Sequence, residues 1–303
     1  CIYCYRNYNE FHEKENDPTL IKKILKEISS IPSIKIISIT GGEPTLSPFL
    51  KDIVKTLYNF NKYIGITTNG NIKEREKLAS FLKKYKKMLR VQVSIEGDKK
   101  VHEFFRGRNS FDEAILTVKY FSERGIPVSL MMTAFKSNLE KIRYILKLQK
   151  KLGADFVAIE RFVPTGIGAF LKNELISRED FHFLIKKVKR LQKEGNRIYL
   201  NDPIFEPKTG FGCSAGIYSL AISSNGLVYP CSKLRIPIGN IKHKKLSEIW
   251  KNSKLLKKLR NRINLKGKCY RCIYRDTCGG CRALAYALSK NIFAEDPLCP
   301  ISY

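Results

Sequence analysis

Two groups of cysteines carry the most conspicuous chemistry of this chain. Cys1 and Cys4 open it as Cys-Ile-Tyr-Cys-Tyr, and Cys213, Cys231, Cys269, Cys272, Cys278, Cys281 and Cys299 crowd the last third. No cysteine falls between Cys4 and Cys213. Core cysteines would scatter, so thiols gathered in this way point to disulfides, zinc or iron–sulfur clusters. Disulfides fit worst: the count of nine is odd, no secretory segment is visible, and the chain is far longer than the small secreted domains that need staples. Cys269-x2-Cys272-x5-Cys278-x2-Cys281 offers two CxxC hooks to zinc, yet zinc ribbons separate their hooks by about 15–20 residues. Hooks this close, with further cysteines on both sides, suit the denser thiolate packing of iron–sulfur sites. Soft thiolates hold both metals, so spacing leaves zinc open.

Composition bounds the setting. A chain of 303 residues with 43% hydrophobic content can bury a core as one large domain or two ordinary ones. No apolar run approaches the roughly 18 residues of a membrane span and no presequence is visible, so a soluble, cytoplasmic protein with reduced thiols is expected. Lysine and arginine total 56 against 28 acids, a formal charge of +28. Such an excess describes a solvated lysine-rich surface or a site for an anionic partner such as nucleic acid or a carboxylate-rich substrate. The lysines lie on helix faces and are not interleaved with aromatics, which disfavours nucleic acid.

The first two-thirds must position this chemistry. Asp17-Pro18 reads as an N-cap and first helical residue, followed by Leu20, Ile21, Ile24, Leu25 and Ile28 at helical spacing. Strands are expected at 34–40, 63–67, 89–95, 128–133 and 155–160. Helices are expected at 47–60, from about 70 to 87, and at 111–124, 139–152 and 178–194. Repeated βα units imply a parallel sheet or barrel with its chemistry at the carboxyl ends of the strands. Polar and glycine-rich tripeptides recur there: Gly41-Gly42-Glu43-Pro44, Thr68-Asn69-Gly70 and Glu96-Gly97. Beyond Glu194 come short strands at 218–222 and 227–229 and the turn Ser224-Asn225-Gly226, which sets a boundary near 200. The cysteine-rich tail is expected to depend on bound metal for stability.

Cys-Ile-Tyr-Cys-Tyr resembles the end of the CxxxCxxC loop of radical S-adenosylmethionine (SAM) enzymes. Cys213-x12-Gly226-x4-Cys231, followed by Cys269-x2-Cys272-x5-Cys278-x2-Cys281-x17-Cys299, resembles the SPASM module that carries auxiliary clusters in many of them. One gap departs from the module: Gly279-Gly280 fills a space usually one residue longer. The resemblance covers essentially the whole chain. It implies an α/β fold, a partial (β/α)6 TIM-like barrel over 1–198, followed by a small cysteine-rich SPASM domain with auxiliary iron–sulfur clusters over 199–303. The chain opens at what corresponds to the second cysteine of the loop. The expectation is an N-terminally truncated piece that lacks the first cysteine and first strand and does not itself cleave SAM.

The resemblance also implies cofactors and roles. The cofactors are SAM and 4Fe–4S clusters, one binding SAM and up to two auxiliary. Cys1 and Cys4 belong to the first cluster. Cys269, Cys272, Cys278 and Cys299 complete one auxiliary cluster, while Cys213, Cys231 and Cys281 give the other only three ligands. Around SAM, Gly41, Gly42, Glu43 and Pro44 meet its amino group, Thr68 and Asn69 line the same edge, and Ser94 and Glu96 correspond to positions near the ribose. Arg106 corresponds to a base for the SAM carboxylate, Thr133 and Asn138 stand near the following strand end, and Tyr3 packs on adenine. No catalytic residue is singled out.

The implied reaction is reductive cleavage of SAM to a 5′-deoxyadenosyl radical that abstracts hydrogen from substrate, with electrons from a ferredoxin- or flavodoxin-like donor. The phrases Gly212-Cys213-Ser214-Ala215-Gly216 and Cys278-Gly279-Gly280-Cys281-Arg282, with Ala294-Glu295-Asp296-Pro297-Leu298-Cys299, resemble the tetrapyrrole branch of haem d1 and alternative haem synthesis. The alternatives are a peptide maturase of the sulfatase-maturing, quinone- or thioether-forming kind, or a non-enzymatic iron–sulfur or zinc protein that carries electrons or binds RNA.

Overall fold

The computed structural model describes residues 1–7, 17–208, 210 and 212–301. Helix α1 (Pro18–Ser29) starts where the sequence places it. Asp17 Oδ1 accepts hydrogen bonds from the amides of Thr19 and Leu20, at 2.9 and 3.2 Å, and Pro18 occupies the first turn, where its missing N–H costs nothing. Strands and helices then alternate as β1 (Ile36–Ile39), α2 (Leu50–Asn59), β2 (Tyr63–Thr68), α3 (Arg75–Leu82) and β3 (Leu89–Ser94). They continue as α4 (Lys99–Arg106), α5 (Ser110–Glu123), β4 (Val128–Ala134), α6 (Ile142–Leu152), β5 (Val157–Arg161), α7 (Arg178–Lys193) and β6 (Ile198–Leu200).

The six strands form one sheet in chain order, with parallel registers such as Ile66↔Val91 and Val93↔Leu130. Consecutive order with a helix between strands is the α/β arrangement expected of a partial barrel. Period-two alternation turns Ile64, Ile66 and Thr68 of β2 inward. β3 alternates buried and half-buried residues up to Val93 and Ser94, and β4 has no exposed residue, as strands covered on both faces require. Phe105 of α4 stacks on Phe135 at 4.0 Å, both fully buried.

Among the described residues, four helices and a strand of the tail escaped the sequence, and so did two elements of the βα region. α4 is short and mostly charged, but Asp98 caps it by accepting from Val101 N at 3.1 Å. β6 has three residues, too few for a periodic signal. The 3-10 turn Lys136–Lys141 takes up the start of the helix expected at 139–152, so α6 begins later than its apolar spacing suggests, and α2 begins at Leu50 where 47 was expected. No helix among the described residues is long and apolar enough to cross a membrane.

The tail holds β7 (Ala221–Ile222), β8 (Leu227–Tyr229) and β9 (Gly239–Asn240) as a small antiparallel sheet. The expected turn closes β7–β8: Asn225 Oδ1 accepts from Leu227 N, and Gly226 takes φ +87°. Then come α8 (Leu246–Asn252), α9 (Lys254–Arg260), α10 (Gly267–Arg271) and α11 (Arg282–Ser289). The chain divides into two compact units. One comprises Cys1, Leu25–Glu160 and Val188–Tyr199, and the other Ile2–Ile24, Arg161–Lys187 and Leu200–Tyr303.

Candidate functional site

In the first unit the strand ends gather the polar residues into two constellations. Glu43, just past β1, caps the following turn. Its Oε1 accepts from Thr45 N (3.2 Å), Thr45 Oγ1 (2.8 Å) and Thr68 Oγ1 (2.7 Å), and its Oε2 accepts from Asn69 N at 2.8 Å. One carboxylate thus fastens the end of β1 to the end of β2. Oε1 is saturated, while Oε2 keeps a lone pair for a further donor. No protein atom lies within 4 Å of where a Cβ would stand on Gly41 or Gly42. Packing therefore does not demand glycine there; at Gly41 the backbone does, with φ +153°.

Glu96 anchors the second constellation. Its side chain is fully buried, with Oε1 accepting from Arg106 Nε at 2.9 Å and Oε2 from Thr133 N at 2.8 Å. Its carbonyl accepts from Asn138 Nδ2 at 2.9 Å, and its own amide donates to His102 Nδ1 at 3.3 Å. Burial, then the Arg106 charge, push His102 down to about 3, so the imidazole is neutral with its proton on Nε2. That Nε2–H, like the His102 side chain, is buried, and it has no hydrogen-bond partner among the described residues. The structure therefore pairs Glu96 with Arg106, two residues the sequence treats as separate ligand contacts. Ser94 is buried at the end of β3 beside them in sequence.

Cys4 and Tyr3 belong to the second unit. The Cys4 carbonyl accepts from Gly168 N and the Arg6 carbonyl from Ile167 N, both at 2.9 Å, so the segment after β5 clamps the cysteine loop. A Cβ on Gly168 would stand 2.9 Å from the Tyr3 carbonyl oxygen, a contact only glycine avoids. Cys1 is exposed and Cys4 half-buried.

None of the nine cysteines is in a disulfide, and the seven of the tail sort into two neighbourhoods. Cys269, Cys272, Cys278 and Cys299 line one small solvent-open pocket of about 20 Å³, with Lys268, Arg275 and Gly280 on its wall. Burial pushes Cys278 up to about 12, helped by Cys299 and Cys269, and Cys299 up to about 11, helped by Asp296 and Cys269. Cys213 bears on the other two: burial and then its neighbours raise Cys281 to about 12, and burial raises Cys231. Neutral thiols suit an apolar setting until a metal displaces their protons.

The donor set fits iron–sulfur clusters. Sulfurs of cluster ligands usually receive amide hydrogen bonds, and here Gly280 N donates to Cys278 Sγ (3.3 Å), Tyr274 N to Cys272 Sγ (3.3 Å) and Asp296 N to Cys269 Sγ (3.4 Å). No three His, Cys, Asp or Glu side chains among the described residues stand close enough to grip a single ion.

One buried ion network went unread in the sequence. Arg161, the last residue of β5, is gripped by Asp296 through both terminal nitrogens (3.1 and 2.8 Å), bonds Asp202 through Nε, and stacks over Phe181 at 4.3 Å. Asp296 Oδ2 also accepts from Cys281 N at 2.7 Å, and its carbonyl accepts from Cys299 N at 3.1 Å. Asp296 thus touches the backbone or sulfur of thiols in both neighbourhoods. Burial raises Asp202 to about 6 against the opposing pull of Arg161. A strand-end arginine and the acid of Glu-Asp-Pro, three residues before a cysteine, were the available signals.

A parallel α/β sheet with polar strand ends and a tail of grouped thiols fit an enzyme that works through iron–sulfur clusters and SAM. The chain belongs to the radical SAM superfamily. The Radical SAM superfamily pattern matches residues 1–148, and the SPASM iron–sulfur cluster-binding domain matches residues 213–273. An AdoMet-dependent heme synthase of Methanosarcina barkeri is 30% identical over 92% of this chain and 85% of its own length. An Fe-coproporphyrin III synthase of the same organism is 27% identical over 99% of this chain and 84% of its own length. The fold is shared with the crystal structure of Streptococcus suis SuiB bound to precursor peptide SuiA. The TM-score is 0.78 at 20% identity, covering 99% of this chain and 73% of that one. The protein is a radical SAM enzyme, and its cofactors are 4Fe–4S clusters and SAM.

Proposed function

We propose that this enzyme modifies the side chains of a tetrapyrrole in a haem-forming reaction. When bound, cluster and SAM supply the 5′-deoxyadenosyl radical that takes hydrogen from substrate. The observation that carries the substrate class is the 30% identity, sustained over 92% of the chain, to a heme synthase. The tail phrases around Cys213, Cys278 and Cys299 lean the same way, and a formal charge of +28 suits a polycarboxylate.

In this reading Cys1 and Cys4 ligate the SAM cluster, and the open faces of Gly41 and Gly42 admit the SAM backbone. Pro44 stiffens that turn, and the spare lone pair on Glu43 Oε2 takes the SAM ammonium, with Thr68 and Asn69 holding the carboxylate in place. Ser94, Glu96 and Thr133 frame the ribose, and Arg106, steadied by Glu96, meets the SAM carboxylate. Tyr3 packs on adenine. Cys269, Cys272, Cys278 and Cys299 hold one auxiliary cluster. Cys213, Cys231 and Cys281 hold three irons of the other, whose fourth iron accepts a non-cysteine ligand. The working domains are 1–198 and 199–303. The protein is cytoplasmic, a setting that suits nine cysteines outside any disulfide, and takes its electrons from a ferredoxin- or flavodoxin-like donor.

Absorbance titration tests the substrate class. A propionate-bearing porphyrin should perturb the spectrum saturably and be displaced by other tetrapyrroles but not by peptides. A protein that ignores porphyrins and binds a precursor peptide encoded beside its gene would overturn the reading in favour of a maturase.

A further inference from the structure

Two arginines of the second unit are buried with no carboxylate in hydrogen-bonding contact among the described residues. Arg282 is wholly enclosed, the bulkiest side chain so hidden, and Arg262 is 7% exposed. Neither makes a salt bridge to a carboxylate among the described residues. Arg282 is pinned by carbonyls: Nε donates to Gly280 O (3.3 Å), and Nη1 to Ile292 O (2.9 Å) and Ala294 O (2.6 Å). Its Nη2 points at Cys269 Sγ, 3.8 Å away. Arg262 donates from Nη2 to the Cys213 carbonyl at 3.0 Å, and its Nε finds no partner among the described residues. Guanidinium stays charged under all ordinary conditions, and a buried cation without a counter-charge is costly. Asp296, which with Arg282 flanks Gly280, is already held by Arg161, and Asp276, the acid that bears on Arg262, is hydrogen-bonded to Arg275 at the surface.

The shortened gap between Cys278 and Cys281 explains how these cations fit. A Cβ on Gly279 would stand 2.1 Å from Arg262 Nη1, and one on Gly280 would stand 2.8 Å from Arg282 Nη2. Both glycines take left-handed φ, +68° and +62°. The pair therefore admits one guanidinium on each residue, directly between two cluster ligands.

We propose that Arg262 and Arg282 are built-in counter-ions of the auxiliary clusters and hold their reduction potentials up. A four-thiolate 4Fe–4S centre carries a net charge of about −2 when oxidised and one more negative charge when reduced, so an adjacent fixed cation favours the reduced form. Arg282 acts on the Cys269 set through its approach to that sulfur. Arg262 lies at the Cys213 backbone and over Gly279, where it acts on both sets.

Potentiometric titration followed by electron paramagnetic resonance, on anaerobically reconstituted protein, tests this. R282M should retain its iron and sulfide but show an auxiliary midpoint shifted to more negative potential, with R282K between it and the parent. R262Q should shift both auxiliary signals the same way. Melting temperature is a second readout. Cluster loading should raise it less in R282M than in the parent, because the apo form is relieved of an uncompensated charge while the loaded form loses a counter-ion. If R282M loads fully and titrates at the parent potential, the proposal is overturned. Should R282M fail to load, R282K and R262Q decide, and unchanged midpoints in both would overturn it equally.

Discussion

Single side chains here fasten one strand end to the next. Glu96 receives Arg106, Thr133 and Asn138, and its amide uses His102 as acceptor. Because burial lowers His102 to about 3, the folded state refuses a proton that the unfolded chain takes up near the usual 6.5. The unfolded state then binds more protons, so stability falls as pH falls through the window from 6.5 to 3. The slope is about 1.4 kcal/mol per pH unit for this one group. Urea denaturation at pH 7 and pH 5 should show that loss, and H102Q should show a shallower one. Equal slopes would mean that His102 is protonated in the fold. Asp296 tests the other network. D296A strips Arg161 of its bidentate partner and Cys281 N of its acceptor, and should cost about 3–5 kcal/mol, the usual penalty for a broken buried pair. Thermal denaturation and iron content should fall together. A D296A protein with parental stability would remove the network from the account.

At the scale of elements, the loop that carries Cys4 is shaped by the segment after β5. Gly168 lets that segment approach the Tyr3 carbonyl, so G168A must push the cysteine loop away. Lower SAM affinity with intact auxiliary-cluster signals is the expected outcome, measured by equilibrium dialysis and electron paramagnetic resonance. Undiminished SAM binding would show that the clamp does not matter. Much of this level was legible in the chain. Asp17-Pro18 marked the start of α1, and alternating apolar residues marked β2 and β3, because capping and burial are local patterns. α4 was not legible, since Lys99–Arg106 spans only eight residues in the connection between β3 and α5, and β6 is only three residues long. The glycines of Thr68-Asn69-Gly70 and Glu96-Gly97 announced strand ends. What the neighbouring side chains bond to depends on strands 25 to 42 residues apart in sequence, which no spacing rule reaches. Glu96 and Arg106 therefore read as two independent contacts until the fold paired them.

For the molecule as a whole, the cysteine groups of the sequence become distinct chemical sites. The tail's seven thiols divide into a four-thiol pocket and a three-thiol neighbourhood, the grouping that the SPASM resemblance implies. The ions that serve them were not legible: Arg161, Arg262 and Arg282 look like any of the 56 basic residues until their burial is known. Membership of the radical SAM superfamily and likeness to a heme synthase make the substrate the central question. The direct measurement uses protein expressed from its full reading frame, reconstituted anaerobically and given SAM, a strong reductant and an iron porphyrin bearing propionates. 5′-Deoxyadenosine should accumulate only with the porphyrin present, and mass spectrometry should find a shortened side chain in proportion to it. 5′-Deoxyadenosine formed with a precursor peptide while the porphyrin emerges unchanged would contradict the account.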